Sequence, residues 1–245
     1  MSVRVADSEP GIRLVTIDRP ERRNALDRAT YAGLGEALGE AGRGADVRAV
    51  VLTGAGGCFT AGNDLADFRD VERGGDSPGL TFLTALRDCA RPVVAAVEGH
   101  AVGIGVTLLL HCDLAYAGEG ARFRLPFTAL GLSPEGGSSY LLPRVAGSKR
   151  AAELLLLAEP FGPHEAVEAG LVNAVVARGT ALDAALARAR ALAALPPAAV
   201  LATKQALRRG HDATVRQALR EEAEVFHALR RGPEAQAIFA AFLKR

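Results

Sequence analysis

Two apolar runs, VRAVVLT at 47–53 and VVAAV at 93–97, each break into a glycine-rich turn: GAGGCFTAGN at 54–63 and EGHAVGIG at 98–105. Short β-branched runs bounded by glycine read as buried strands. Helical patterns fall between and around them. Asp27 caps a stretch that runs to about Gly39, with Leu34 and Leu38 four residues apart, and a second helix falls near 80–90. Strand, helix, strand in this order predicts an α/β chain built from βαβ units.

The remaining pattern extends that plan. IRLVTID at 12–18 alternates apolar and polar and reads as a strand with one buried face, while the first eleven residues hold no apolar run. Residues 64–76 read as a short charged helix, and GGDSPG at 74–79 as a mobile loop. An apolar helix at 106–111, a strand at 114–117 and an extended RFRLPF at 122–127 follow. Ser133 and Pro134 are a good N-cap and a good first helical residue, so a helix is predicted to open there. Helices near 148–157, 163–169 and 181–194 lead to Pro196-Pro197. Everything after it is helical: 197–209, 213–231 and 233–243. The organisation expected is a core over 1–195 and a helical cover or assembly region over 196–245. The helix at 213–231 places Val215, Leu219, Phe226 and Leu229 on one stripe, which needs a partner in this chain or in another subunit.

Composition removes several classes of function. With 29 Lys and Arg against 28 Asp and Glu, the 245-residue chain carries a net charge of +1, which gives no field for nucleic acid. Three cysteines, Cys58, Cys89 and Cys112, show no CxxC spacing, and no His/Asp/Glu group has metal-ligand spacing. No apolar stretch approaches the roughly twenty residues of a membrane span. A cytoplasmic protein without a resident cofactor or metal is expected. Arg outnumbers Lys 26 to 3, a compositional association with GC-rich bacterial genomes.

Neither glycine turn is a nucleotide fingerprint. Gly103-Ile104-Gly105 lacks the third glycine, its place being Leu108, and no GK[ST] occurs. What the turns do offer is backbone N–H. A turn that feeds a helix N-terminus aims free N–H groups outward, and two such turns that converge can hold one developing oxyanion. Taken by spacing alone, plain βα connections are the favoured reading of both.

The longer motifs are more specific. FTAGNDLADF at 59–68, AVEGHAVGIGVTLLLHCDLAYAGEGARF at 96–123, LGLSPEGGSSYLLPRVAG at 130–147 and EAGLVNAVV at 168–176 follow IDRPERRNALD at 17–27. In this order they resemble the crotonase (enoyl-CoA hydratase/isomerase) superfamily over nearly the whole chain. The resemblance implies a ββα-spiral core with C-terminal helices that assemble a homotrimer or a dimer of trimers. It implies an acyl-CoA thioester substrate, coenzyme A being part of that substrate. The thioester oxygen would be held by the backbone N–H groups of Asn63 and Ile104. The segment from Arg22 through Ala25 to Leu26 would lie along the CoA moiety. Ala61, Asp64 and Leu65 around the first turn, and Gly103 and Thr107 around the second, would border the substrate. A lysine frequent in the family's hydratases falls at Ala66.

The two glutamates of the hydratases fall at Thr107 and Phe127, and neither is a carboxylate. Instead LGLSPEGGSSY resembles the segment of the Δ3,Δ2-enoyl-CoA isomerases that carries their catalytic base, which matches Glu135. A single carboxylate that reaches both C2 and C4 can move the double bond, and in an apolar pocket its pKa should rise toward the working pH. Phe127, Leu130 and Leu132 are the expected walls. Two alternatives stay open. One is hydration or another reaction of the superfamily, with Asp64 or Glu98 as a second acid beside Glu135. The other is an acyl-CoA-binding subunit without activity. Among the remaining polar residues, Asp113, Glu98, His100 and His111 read as structural, Asp64 as a helix cap, and Arg208-Arg209 and Arg230-Arg231 as solvated faces or CoA-phosphate contacts across a subunit boundary.

Overall fold

The computed structural model describes residues 2–68 and 77–242. A hairpin of β1 (Val3–Glu9) and β2 (Ile12–Ile17) precedes α1 (Arg28–Arg43) and β3 (Ala49–Gly54). Then come α2 (Leu65–Phe68), α3 (Pro78–Asp88), β4 (Val93–Val97), β5 (His100–Val102) and α4 (Ile104–Thr107), which tightens into a 3₁₀ turn through His111. Next are β6 (Leu114–Gly118), β7 (Arg122–Arg124), α5 (Ser138–Ala146), α6 (Ser148–Leu156), β8 (Pro160–Phe161), α7 (Pro163–Glu168) and β9 (Ala174–Val176). The chain ends with α8 (Ala181–Ala193), α9 (Pro197–Arg209), α10 (Asp212–Arg231) and α11 (Pro233–Phe242).

Six strands form one sheet in the order β1-β2-β3-β4-β6-β9, and β5-β7-β8 form a second. The first hairpin is antiparallel, whereas β2, β3, β4, β6 and β9 run parallel, with Leu52 between Val15 and Ala95. Strand alternation divides the core in two. Val15, Val50, Leu52, Ala95 and Ala117 face α1 and α3, while Ala49, Val51, Val94, Ala96 and Tyr116 face α8. Ala181, Ala185 and Ala189 of α8 recur every four residues, so the helix lies close on the sheet. Both faces are covered, which is why β3 and β4 read as unbroken apolar runs.

Three differences from the sequence pattern have physical causes. β1 is mostly exposed and is held by its hydrogen-bond ladder to β2, so it carries no apolar signal. β5 and β9 are three residues each and exist through pairing with β7 and β6. Ser133-Pro134 does not open a helix: Gly136 and Gly137 take φ of 75° and 69°, and α5 starts only at Ser138. Glu135 therefore sits on a turn ahead of the helix. The charged helix expected at 64–76 is described only through Phe68, and residues 69–76, with the first half of the loop expected at 74–79, lie outside the described residues; the second half is not loop, since Ser77 caps α3 and Pro78 and Gly79 open it.

Candidate active site

The first glycine turn is fixed by Asn24. This buried residue, in the left-handed region at φ 57°, donates from Nδ2 to the carbonyls of Ala55 (2.9 Å) and Cys58 (2.5 Å), and its Oδ1 accepts from the Arg19 N–H (2.9 Å). The Thr60 hydroxyl donates to the Asn24 carbonyl (2.7 Å), and Ala61 N–H donates to Arg23 (3.0 Å). The 22–26 segment and the first turn are thereby one unit.

The second turn lies directly against the first. Thr60 N–H donates to the His100 carbonyl (2.8 Å), and Val102 N–H donates back to the Thr60 carbonyl (3.1 Å). Gly62 sits at φ +87°, and a Cβ there would lie 2.6 Å from the Val102 carbonyl oxygen, so only glycine lets the turns approach this closely. Leu26 N–H donates to Gly62 and Asp64 N–H donates to Leu26, which turns the intervening Asn63 N–H to the opposite side. Ile104 is the first residue of α4, where a helix leaves its N–H without an intrahelical partner. Among the described residues neither of these two N–H groups donates to a backbone carbonyl, and both residues line the same cleft.

Glu135 and Gly136 border that cleft as well. The Thr107 hydroxyl, one turn along α4 from Ile104, donates to Glu135 Oε1 at 2.7 Å. A Cβ on Gly136 would lie 2.7 Å from that same hydroxyl oxygen, so the glycine brings the turn down onto α4. His111 Nε2 lies 2.7 Å from the Gly136 carbonyl and donates to it, and burial holds this imidazole neutral, with a pKa near 4. Loss of hydration pushes Glu135 up to about 7; the Thr107 hydrogen bond opposes that rise and the negative charge of Glu222 adds to it.

Several expected residues meet here and others do not. Leu26, Asn63, Asp64, Ile104 and Glu135 line the cleft, and Thr107 stands behind Glu135. Arg22 is exposed outside it, Ala25 offers its carbonyl to Arg19 (2.6 Å), and Ala61 and Leu65 belong to the supporting turn and α2. Gly103 is the N-cap of α4. Phe127, Leu130 and Leu132 do not line the cleft; Phe127 packs edge-on behind Phe226, with ring centroids 6.3 Å apart. The apolar walls come instead from Leu26, Tyr31, Leu80, Leu83, Leu219 and Phe226. Asp64 caps α2 through Ala66 N–H (3.2 Å) and is paired with Arg19 (3.2 Å). Glu98 accepts from Gly179 and Ala181 N–H at the entry to α8, so it is turned to that helix. Arg208 is not a solvated residue: it ties the His111 carbonyl and Asp113 to α9.

The residues that pattern reading missed lie on α1 and α10. Tyr31, buried, donates its hydroxyl to Asn63 Oδ1 at 2.5 Å, and burial together with Glu135 and Asp27 raises its pKa well above the usual value. Its signal was its place on the Leu34–Leu38 face of α1. Phe226, His227, Arg230 and Leu219 arrive from α10, whose partner is therefore its own chain; Leu229, expected on the same stripe, is 42% exposed. Glu222, the acid on that stripe, was the visible anomaly.

The chain is similar to known proteins along its length. The model of the enoyl-CoA hydratase/isomerase family matches residues 7–245. Human enoyl-CoA delta isomerase 2 is 34% identical over 249 residues, covering 98% of this chain and 63% of the human protein, so the chain spans less than two thirds of that relative. Escherichia coli 2,3-dehydroadipyl-CoA hydratase is 32% identical, covering 100% of this chain and 97% of that one. The solved structure of Pseudomonas aeruginosa OdaA superposes with a TM-score of 0.95 at 43% identity, covering 100% of this chain and 99% of that one. Spiral core, C-terminal helices, paired turns and matching relatives make this chain a member of the enoyl-CoA hydratase/isomerase family, in the crotonase superfamily.

Proposed function

We propose that the protein is a Δ3,Δ2-enoyl-CoA isomerase with Glu135 as its single base. The observation that carries this reading is the Glu135 carboxylate, held by Thr107 at 2.7 Å on the cleft that Asn63 and Ile104 border, where the other carboxylate of the lining, Asp64, is paired with Arg19. In the reaction the Glu135 carboxylate takes a proton from C2 of a 3-enoyl thioester. The electron pair moves through the carbonyl, and the negative charge of the dienolate rests on the thioester oxygen. Two preorganised N–H donors stabilise that charge as it develops. Glu135, now a carboxylic acid, returns the proton to C4 and leaves the double bond between C2 and C3. A pKa near 7 keeps enough carboxylate at neutral pH while making it a stronger base than an ordinary glutamate.

Hydration needs a second group to hold and activate water. Thr107 is occupied with Glu135, Asp64 with Arg19, and Glu98 with the α8 entry. The basic side chains of Arg28 and Arg230 on the cleft suit the phosphates of coenzyme A. Assembly into a trimer belongs to the same proposal. The test offers purified protein a 3-enoyl-CoA and, separately, a 2-enoyl-CoA. Conversion of the first to its conjugated isomer without hydration of the second is expected. Fast hydration of the 2-enoyl ester overturns the reading, and inertness toward both leaves an acyl-CoA pocket without this activity.

A further inference from the structure

We propose that Glu222 of α10 is a positioning residue for the base: its carboxylate clamps the turn that carries Glu135 and sets a second negative charge behind the reacting carboxyl. The proposal rests on the reading of Glu135 as that base. Glu222 is only 8% exposed and lies between Leu219 and Phe226 on the buried stripe of its helix, where an unpaired carboxylate would be costly. Donors from the first turn of α5 meet it. Its Oε2 accepts from Gly137 N–H (2.6 Å), and its Oε1 accepts from Ser139 N–H (2.9 Å) and the Ser139 hydroxyl (2.5 Å). Gly137 is the N-cap residue of α5 and has no side chain with which to cap it. Glu222 supplies that cap from 85 residues away and places its charge at the positive end of the helix.

The turn is thus held from two sides. On the core side, Thr107 holds the Glu135 carboxyl, and His111 holds the Gly136 carbonyl. On the α10 side, Glu222 holds Gly137 and Ser139. The neighbouring charges do not duplicate this role. From α1, Asp27 is paired with Arg19 and Tyr31 is neutral, while Arg28 lies on the cleft lining. Arg87 of α3 is paired with Asp212 at 2.8 Å, Asp64 with Arg19, and His111 is neutral. His227 and Arg230 of α10 border the cleft, and burial lowers the pKa of both. The Glu222 charge reaches Glu135 and opposes its ionisation, working against the Thr107 hydrogen bond.

The experiment follows the Glu135 carboxyl itself, by ¹³C NMR of protein labelled at glutamate carboxyls. The signal is assigned by its loss in Glu135→Gln. In Glu222→Gln the Glu135 midpoint should fall by about one pH unit, the order expected for removal of a like charge in a protein interior. The acid limb of kcat/KM for a 3-enoyl-CoA should fall with it, while KM stays within about twofold. A folded Glu222→Gln variant with an unmoved midpoint overturns the proposal, as does a uniform loss of activity at all pH values. Should that variant fail to fold, the wild type decides. Its Glu135 signal must carry a second, smaller inflection where another buried glutamate titrates, and a single inflection overturns the proposal. The base reading fails separately, if Glu135→Gln still isomerises substrate, whatever the midpoint does.

Discussion

At Glu135 the proposed base also carries a measurable cost to the fold. Its folded pKa of about 7 lies above the ordinary 4.5. The folded state therefore holds the proton more tightly than the unfolded chain. Stability from this group is fully present below pH 4.5 and is lost as pH rises through 7. Glu135→Gln should leave urea stability unchanged at pH 4 and raise it by about 2 kcal/mol at pH 8, a value discounted for the opening to the cleft. The same variant should lose about 10³-fold in isomerase kcat while still binding a CoA ester, as read by calorimetry. Equal stability gains at both pH values would contradict the titration argument. Activity has the opposite slope to stability, since the carboxylate is the working form: kcat/KM should rise with pH and level off above about 7. Thr107→Val removes the hydrogen bond that favours the carboxylate. Its acid limb should move up by about one pH unit, which at pH 7 costs about fivefold in rate.

Among the elements, α1 and α5 show how helix ends organise the cleft. Asp27 caps α1 by accepting from Thr30 N–H (2.8 Å) and the Thr30 hydroxyl (2.6 Å), and it is paired with Arg19 (3.2 Å). That cap sets the first turn from which Tyr31 reaches Asn63. Asp27→Ala should cost about 1–2 kcal/mol in urea unfolding, and the rate should fall as the Tyr31–Asn63 contact loosens. A stability loss with unchanged kcat would separate the cap from the site. The Asp27 cap was legible in sequence because a side chain caps its own helix three residues away. The start of α5 was not, because its cap is Glu222 of another helix and its beginning is delayed by two glycines at positive φ. A local rule reads Ser133-Pro134 as a start; the turn geometry of 136–137 and a distant carboxylate override it.

Over the whole molecule, α10 closes the cleft from the C-terminal region, and exposed apolar side chains lie at the end of α6 and on α9. Lys204 of α9, buried, donates to the Arg91 carbonyl (2.6 Å) and to Asp113 (2.7 Å), while Asp113 accepts from Val93 N–H (2.7 Å). This network joins the helical region to the start of β4. Leu156, Leu157 and Leu207 are exposed at 68%, 60% and 72%. The proposed trimer would give such side chains an interface in which to be buried. Sedimentation should therefore give three or six times the 25.5 kDa chain mass. Leu156→Lys with Leu207→Lys should shift the distribution toward the single chain. A wild-type protein that sediments as one chain would remove the trimer from the proposal.

The sequence by itself determined the α/β order, the two glycine turns and the family pattern on which the proposed roles of Glu135, Asn63 and Ile104 rest. These signals are local: apolar runs, glycines at turns and motif spacing are written in neighbouring residues. Tertiary structure alone decided that α10 returns to its own chain's cleft, that Tyr31 reaches Asn63 across 32 residues, and that Phe226 rather than Phe127 faces the cleft. It also created β1, β5 and β9, whose pairing partners, not their own composition, make them strands. The physical reason is common to all of these. A hydrogen bond or packed contact between distant residues exists only once the chain has folded, and no periodicity within a window records its partner.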